Sequence, residues 1–240
     1  GVMALRVLFR HPVLRVRMTD SFKPDRTVIR RIANIGIPAG AEQGMMRLAQ
    51  LVYTMIVSSL GTVSYAAHQV ALNAESLSFM PGAGFATAST TMVGQNLGAG
   101  CPNEAEQSGH VARNLGILVM SIMGVVFVLV PEPIVRIFSS DPEVIQLATV
   151  CLRLVAISQP ALATWMTLAG GLRGAGDTRA ILKIVIVGFV LVRVGLAYLL
   201  AIHLGFGLVG VWVAMVVDLF VRGFLIQRRF NRGEWKALKV

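Results

Sequence analysis

His68, Gln69, Asn73, Glu75 and Ser76 sit close together in an otherwise apolar stretch, YAAHQVALNAESLSFMPGAGFATASTTMVGQNLGAG over residues 65–100, which also holds Thr87 and Gln95. On a helix the first five form one polar arc covering nearly half the circumference. Carboxylate and amide oxygens on such an arc can hold a cation, and a carboxylate in an apolar setting can take up a proton. An ionisable group at the centre of a bilayer costs about 2.5–3.5 kcal/mol, so these side chains are expected to face a protein interior or a water-filled path. The pattern points to passage of a solute rather than to a bond-making centre.

A second set precedes it. Gly36 and Pro38 interrupt an apolar run, and Glu42, Gln43, Arg47 and Gln50 follow directly. Gln43, Arg47, Gln50 and Thr54 obey helical spacing and share one face, with Glu42 about 100° away. Three acids, Glu42, Glu75 and Asp218, and three bases, Arg47, Arg153 and Arg193, fall within apolar runs. Buried charges are usually paired, so Arg193 and Asp218 are expected to form a structural ion pair, and His68 or Arg47 could neutralise Glu75. The candidate cation- and substrate-binding set is therefore Glu42, Gln43, Gln50, His68, Gln69, Asn73 and Glu75. Met45, Met46, Met55, Met80, Phe79 and Phe85 could line an adaptable apolar cavity, or simply pack and face lipid.

The elements that must carry these residues follow from composition. Of 240 residues 55% are hydrophobic and 14% charged, with a mean hydropathy of +0.70, too apolar for a soluble domain. Six apolar runs reach membrane-spanning length, at 32–60, 64–97, 111–130, 143–170, 180–204 and 207–227. Strict alternation is absent, so an all-α integral membrane bundle of six transmembrane helices is expected, with a bend at Pro81, Gly82 and Gly84.

A net charge of +10 would suggest nucleic acid in a soluble protein. Here its placement answers instead to topology. Arg6, Arg10, Arg15, Arg17, Lys23, Arg26, Arg30 and Arg31 precede the first run, Arg222, Arg228, Arg229, Arg232, Lys236 and Lys239 close the last, and Arg113, Arg173, Arg179 and Lys183 flank the even-numbered turns. Eighteen of the 22 Lys and Arg thus lie on one side, against Arg136 on the other. By the positive-inside rule both ends are cytoplasmic, and no nucleic-acid partner is expected. The division is a basic interfacial linker over 1–30, a transmembrane lobe over 31–230 and a basic tail over 231–240. The start at Gly1, with no signal-peptide pattern, reads as a partial boundary.

Residues 98–103 and 170–179 read as tight turns, the second capped by Asp177; the latter lacks the strand and the Gly-Lys-Ser/Thr ending of a phosphate loop. Cys101 falls in a turn and Cys151 in a span, so no disulfide between them is expected. No zinc-type spacing or nucleophile elbow occurs, and neither enzyme activity nor a cofactor is expected.

GIPAGAEQ, SSLGTVSYAAHQVALNAESLSFMPGAGFATASTTMVGQNLGAG, SQPALATWMTLAGGLRGAGDTR and GLVGVWVAMVVDLFVRGFL occur in this order from about Arg30 onward. Together they resemble the multidrug and toxic compound extrusion (MATE) family, particularly its DinF-like bacterial branch, over the carboxy-terminal lobe. The resemblance implies a twelve-helix transporter of the bacterial inner membrane. Its two six-helix lobes are related by an axis along the membrane normal, and this chain supplies helices seven to twelve, the amino-terminal lobe being absent. It implies export of cationic or amphipathic small molecules in exchange for H⁺ or Na⁺. The family's acid on helix seven corresponds best to Glu42, whereas in the NorM-like branch it aligns nearer Met46. A lipid or oligosaccharide flippase of the same architecture, or a non-transporting scaffold lobe, are the competing readings.

Overall fold

The computed structural model describes residues 25–238, in two compact units, 1–34 and 35–240. Within the first unit only the start of a helix falls among the described residues: the Asp25 carboxylate accepts the Thr27 N–H at 2.7 Å, an N-cap for the helix that begins at Arg26. The greater part of the 1–30 linker lies outside the described residues.

The chain folds into helices α1 (Arg26–Ser58), α2 (Thr62–Gly98), α3 (Pro102–Leu129), short α4 (Pro131–Arg136), α5 (Pro142–Ile157), α6 (Gln159–Gly174), α7 (Thr178–His203) and α8 (Gly207–Asn231), followed by a 3₁₀ turn at Glu234–Ala237. No strand occurs among the described residues. By length and composition α3, α7 and α8 can each cross a membrane, and α5 with α6 can cross as one bent unit. Helices α1 and α2, of 33 and 37 residues, are longer than the roughly 20 residues a crossing needs, and they carry the polar side chains. The result is an all-helical membrane lobe whose six long stretches overlap the six apolar runs, the largest offset being nine residues, where α3 begins at Pro102 rather than at 111.

One expectation about breaks needs correction. Helix α2 runs unbroken through Pro81, while the single span expected at 143–170 is two helices meeting at 59° around Ser158. Pro160 has no N–H to give to the Ala156 carbonyl, which removes a rung of the helix at this point. Farther along, α7 widens to π winding over Ile186–Val194 and Leu199–His203.

The core of the second unit lies where α2, α3, α5, α6 and α8 meet. Small residues let the backbones approach: a Cβ on Gly170 would strike the Ala86 carbonyl, and one on Gly174 the Thr90 carbonyl, so this Gly-x-x-x-Gly pair is the contact surface between α6 and α2. Thr90 Oγ1 donates across the same seam to the Gly170 carbonyl at 2.9 Å. The turns after α2 and α6 are twins. Gly100 and Gly176 take φ of +75° and +78°, and the following N–H groups of Cys101 and Asp177 reach back to the Asn96 and Leu172 carbonyls at 2.9 and 2.8 Å. This is the Schellman closure, for which a left-handed glycine is the residue of least strain. Asp177 does not cap the helix after it; its carboxylate accepts Arg229 Nε at 2.8 Å instead.

Candidate functional site

Three groups of residues carry polar chemistry. The first is a stripe on α2: Gln69, Asn73, Ser76, Met80, Gly84, Thr87, Thr91 and Gln95, each three or four residues after the last, all exposed except half-buried Gln69. At 1.5 Å per residue the stripe is about 39 Å long, enough to run the full depth of a bilayer core. The opposite face of α2 buries Ala67, Val70, Ala71, Ala74, Gly82 and Val93 against the bundle. Hydroxyls on the stripe satisfy their protons locally, Ser76 on the Asn73 carbonyl at 2.6 Å and Thr87 on the Ala83 carbonyl at 2.9 Å. Gln69 donates to the Tyr65 hydroxyl at 3.0 Å.

The second group joins α1 to α6. Glu42 is buried, at 1% exposure, and its Oε1 accepts Nη2 of Arg173 at 2.5 Å. The guanidinium side of the pair remains 37% exposed. One ion of the pair is thus shielded and the other reachable from outside. Gln43 and Arg47 on the same helix are exposed, and Gln50 is half-buried. Arg173, read from the sequence as a flanking turn residue, is instead the partner of the first acid in the lobe. The pairing could not be seen in sequence because 131 residues separate the two.

The third group is buried deeper. Asp218 accepts Arg193 Nε, Arg222 Nε and Arg222 Nη2, each at 2.7 Å. Arg222, counted above among the flanking bases, is therefore inside the bundle, with side-chain exposure of 4%. The guanidinium carbon of Arg193 lies 4.4 Å from the Phe189 ring centroid, and that of Arg222 lies 4.9 Å from the Trp165 ring. Such stacking supports a desolvated cation. A Cβ on Gly188 would meet Asp218 Oδ1 at 2.6 Å, so glycine there lets α7 close on α8.

Glu75 is buried on α2 and makes no ion pair with His68 or Arg47; the cation whose field reaches it is Arg193. Tyr53 lies in the fields of Arg193, Glu75 and Asp218, and its hydroxyl donates to the Val211 carbonyl at 2.9 Å. His68 is sealed edge-on between Tyr53 and Trp212, at ring-centroid distances of 5.8 and 5.7 Å, and neither ring nitrogen meets a protein partner. The candidate residues therefore separate. Gln43, Gln69 and Asn73 belong to the outward faces, Glu42 to the α1–α6 pair, and His68 and Glu75 to the interior beside Arg193. Glu42 stands eleven residues before Tyr53, roughly 16 Å along α1, and so is distinct from the interior cluster.

Membrane-length helices that bury an ion triad between α7 and α8 and carry a polar stripe along one face of α2 make up an all-helical membrane lobe. The chain belongs to the MatE family, whose model matches residues 38–199. It is 32% identical over 213 residues to the probable multidrug resistance protein NorM of Thermotoga maritima, covering 88% of this chain and 46% of that protein. It is 30% identical over 236 residues to the multidrug resistance protein MdtK of Yersinia pestis, with 94% and 52% covered. A crystal structure described as MATE in the bent conformation superposes with a TM-score of 0.86 at 19% identity, over 97% of this chain and 53% of that one. The chain spans about half the length of the relatives it matches.

Proposed function

We propose that this chain is the carboxy-terminal half of an exporter that moves cationic or amphipathic small molecules out of a bacterial cell in exchange for H⁺ or Na⁺. The six-helix lobe over 31–230 would pair with an amino-terminal lobe, and both ends of the chain would lie on the cytoplasmic side. The α2 stripe carries the reading. Eight positions in register over about 39 Å, six of them with polar side chains, are unsuited to lipid and suit the wall of a hydrated vestibule between lobes. The names of the relatives NorM and MdtK support a drug-like cargo.

Glu42 is the residue on which exchange turns in this reading. Its carboxylate is shielded and its ion-pair partner Arg173 is half-open to the outside, so a proton, a sodium ion or a cationic substrate competes with Arg173 for the same negative charge. Taking that charge away frees α1 from α6. Gln43, Gln50, Gln69 and Asn73 would line the path as neutral acceptors, with Glu75 and His68 acting from the interior. The placement of the acid at Glu42 rather than Met46 leaves both H⁺ and Na⁺ open as the coupling ion.

The test is efflux of ethidium from cells carrying the complete two-lobed protein with Glu42→Gln. Efflux should fall at least tenfold and lose its dependence on the ion gradient. Transport that keeps both its rate and its pH dependence removes Glu42 from the mechanism, and lipid translocation indifferent to ion gradients would identify a flippase instead.

A further inference from the structure

The end of the bundle that carries the Schellman turns holds a cavity of about 630 Å³ lined by Asp177, Arg179, Lys183, Arg228, Arg229 and Arg232, with Ala180, Ile184, Leu225 and Glu234 completing it. Five bases face two acids, and both acids are engaged by one base: Arg229 donates to Asp177 at 2.8 Å and also pairs with Glu234. Arg179, Lys183, Arg228 and Arg232 are exposed and form no ion pair among the described residues. These four cations come from two helices, the first turns of α7 and the last turn of α8 with its cap, so their convergence is a product of the fold and not of a local charge run.

Apolar surface continues from the cations along the helices. Ile184 and Leu225 line the same cavity, and a neighbouring one of about 360 Å³ shares Arg228 and Arg232 and reaches Phe224, a residue 65% exposed. Phe224 lies about one turn of helix deeper than Arg228. A cationic mouth at the helix ends that grades into an apolar groove one turn deeper matches an amphiphile standing upright in the bilayer. Soluble anions have no use for the groove, and neutral lipids have none for the bases. Basic pockets between helix ends on the cytoplasmic side are suited to anionic headgroups.

We propose that this cavity is a binding site for an anionic phospholipid, its phosphate held by Arg179, Lys183, Arg228 and Arg232 and its acyl chain lying along Leu225 and Phe224. Neither Glu42 nor Arg173 lines the cavity, and the site stands whether or not the export reading holds.

Native mass spectrometry of the detergent-purified protein, titrated with phosphatidylglycerol, phosphatidylcholine or inorganic phosphate, tests it. Phosphatidylglycerol should bind well below the concentration at which phosphatidylcholine does. Each basic residue removed should weaken it about fivefold, so that Arg228→Gln with Arg232→Gln loses about 25-fold. Arg228→Lys with Arg232→Lys should retain selectivity, and Arg136→Gln, on the opposite side by loop order, should change nothing. If the Gln pair proves unstable, Arg179→Gln with Lys183→Gln reads the same site from the other helix. Equal binding of the two lipids, undiminished binding by both Gln pairs, or displacement by millimolar phosphate overturns the proposal, the last in favour of a soluble anion.

Discussion

Asp218 is the residue whose loss should be felt most. It accepts three hydrogen bonds from two guanidinium groups in a position with no solvent exposure. Removing one partner of a buried ion pair costs about 3–5 kcal/mol, because the other charge is left uncompensated. Asp218→Asn, which leaves two cations facing each other, should lower the thermal midpoint of the detergent-solubilised protein sharply, read from the emission of buried Trp165 and Trp212. Gly188→Ala should act on the same cluster at about 1–3 kcal/mol by forcing Asp218 and Arg222 aside. The Arg193–Asp218 combination was legible in the sequence because each charge stands alone in an apolar run. Arg222 was not, since it lies six residues from the basic end of α8 and merges by eye with the flanking charges. Helical phase resolves it: 218 and 222 share a face. Glu42 could be picked out beside its proline, but its partner Arg173 could not, because no local spacing relates them.

At the scale of elements, hydropathy placed the six long helical stretches because membrane helices must be both long and apolar. Helix breaks were less accessible. Pro81 and Pro160 look alike in sequence, yet α2 continues through the first and the chain turns by 59° next to the second. Neighbouring contacts decide whether a missing backbone donor becomes a bend, and those are tertiary facts. Close approach of α2 and α6 is likewise written as Gly170 and Gly174, a spacing that is informative once the helices are known. Gly174→Val should push the Thr90 carbonyl away, destabilise the lobe by about 1–3 kcal/mol, and speed hydrogen exchange on both helices while leaving α7 and α8 protected. Gly176→Ala, at φ +78°, should cost about 1–2 kcal/mol on the same thermal assay.

For the whole molecule, the two sides of α2 make opposite demands on their surroundings, and the side with Asn73, Thr87 and Thr91 is the one left uncovered. With Cys101 and Cys151 replaced by serine, Thr91→Cys in the complete protein should react with a membrane-impermeant maleimide, whereas Ser89→Cys on the buried face should not. Native Cys101, half-buried in the turn after α2, reports orientation without further engineering. It should be modified in inverted vesicles and spared in intact cells if that end is cytoplasmic. The ion triad has a consequence for biogenesis as well. Arg193 belongs to α7 and its counter-charge to α8, joined by the short connection 204–206. Released singly into lipid, α7 would carry a bare guanidinium near its middle; released together, the hairpin is already neutralised. The last two helices should therefore leave the insertion machinery as a couple, and cutting the chain after α7 should strand it outside the bilayer.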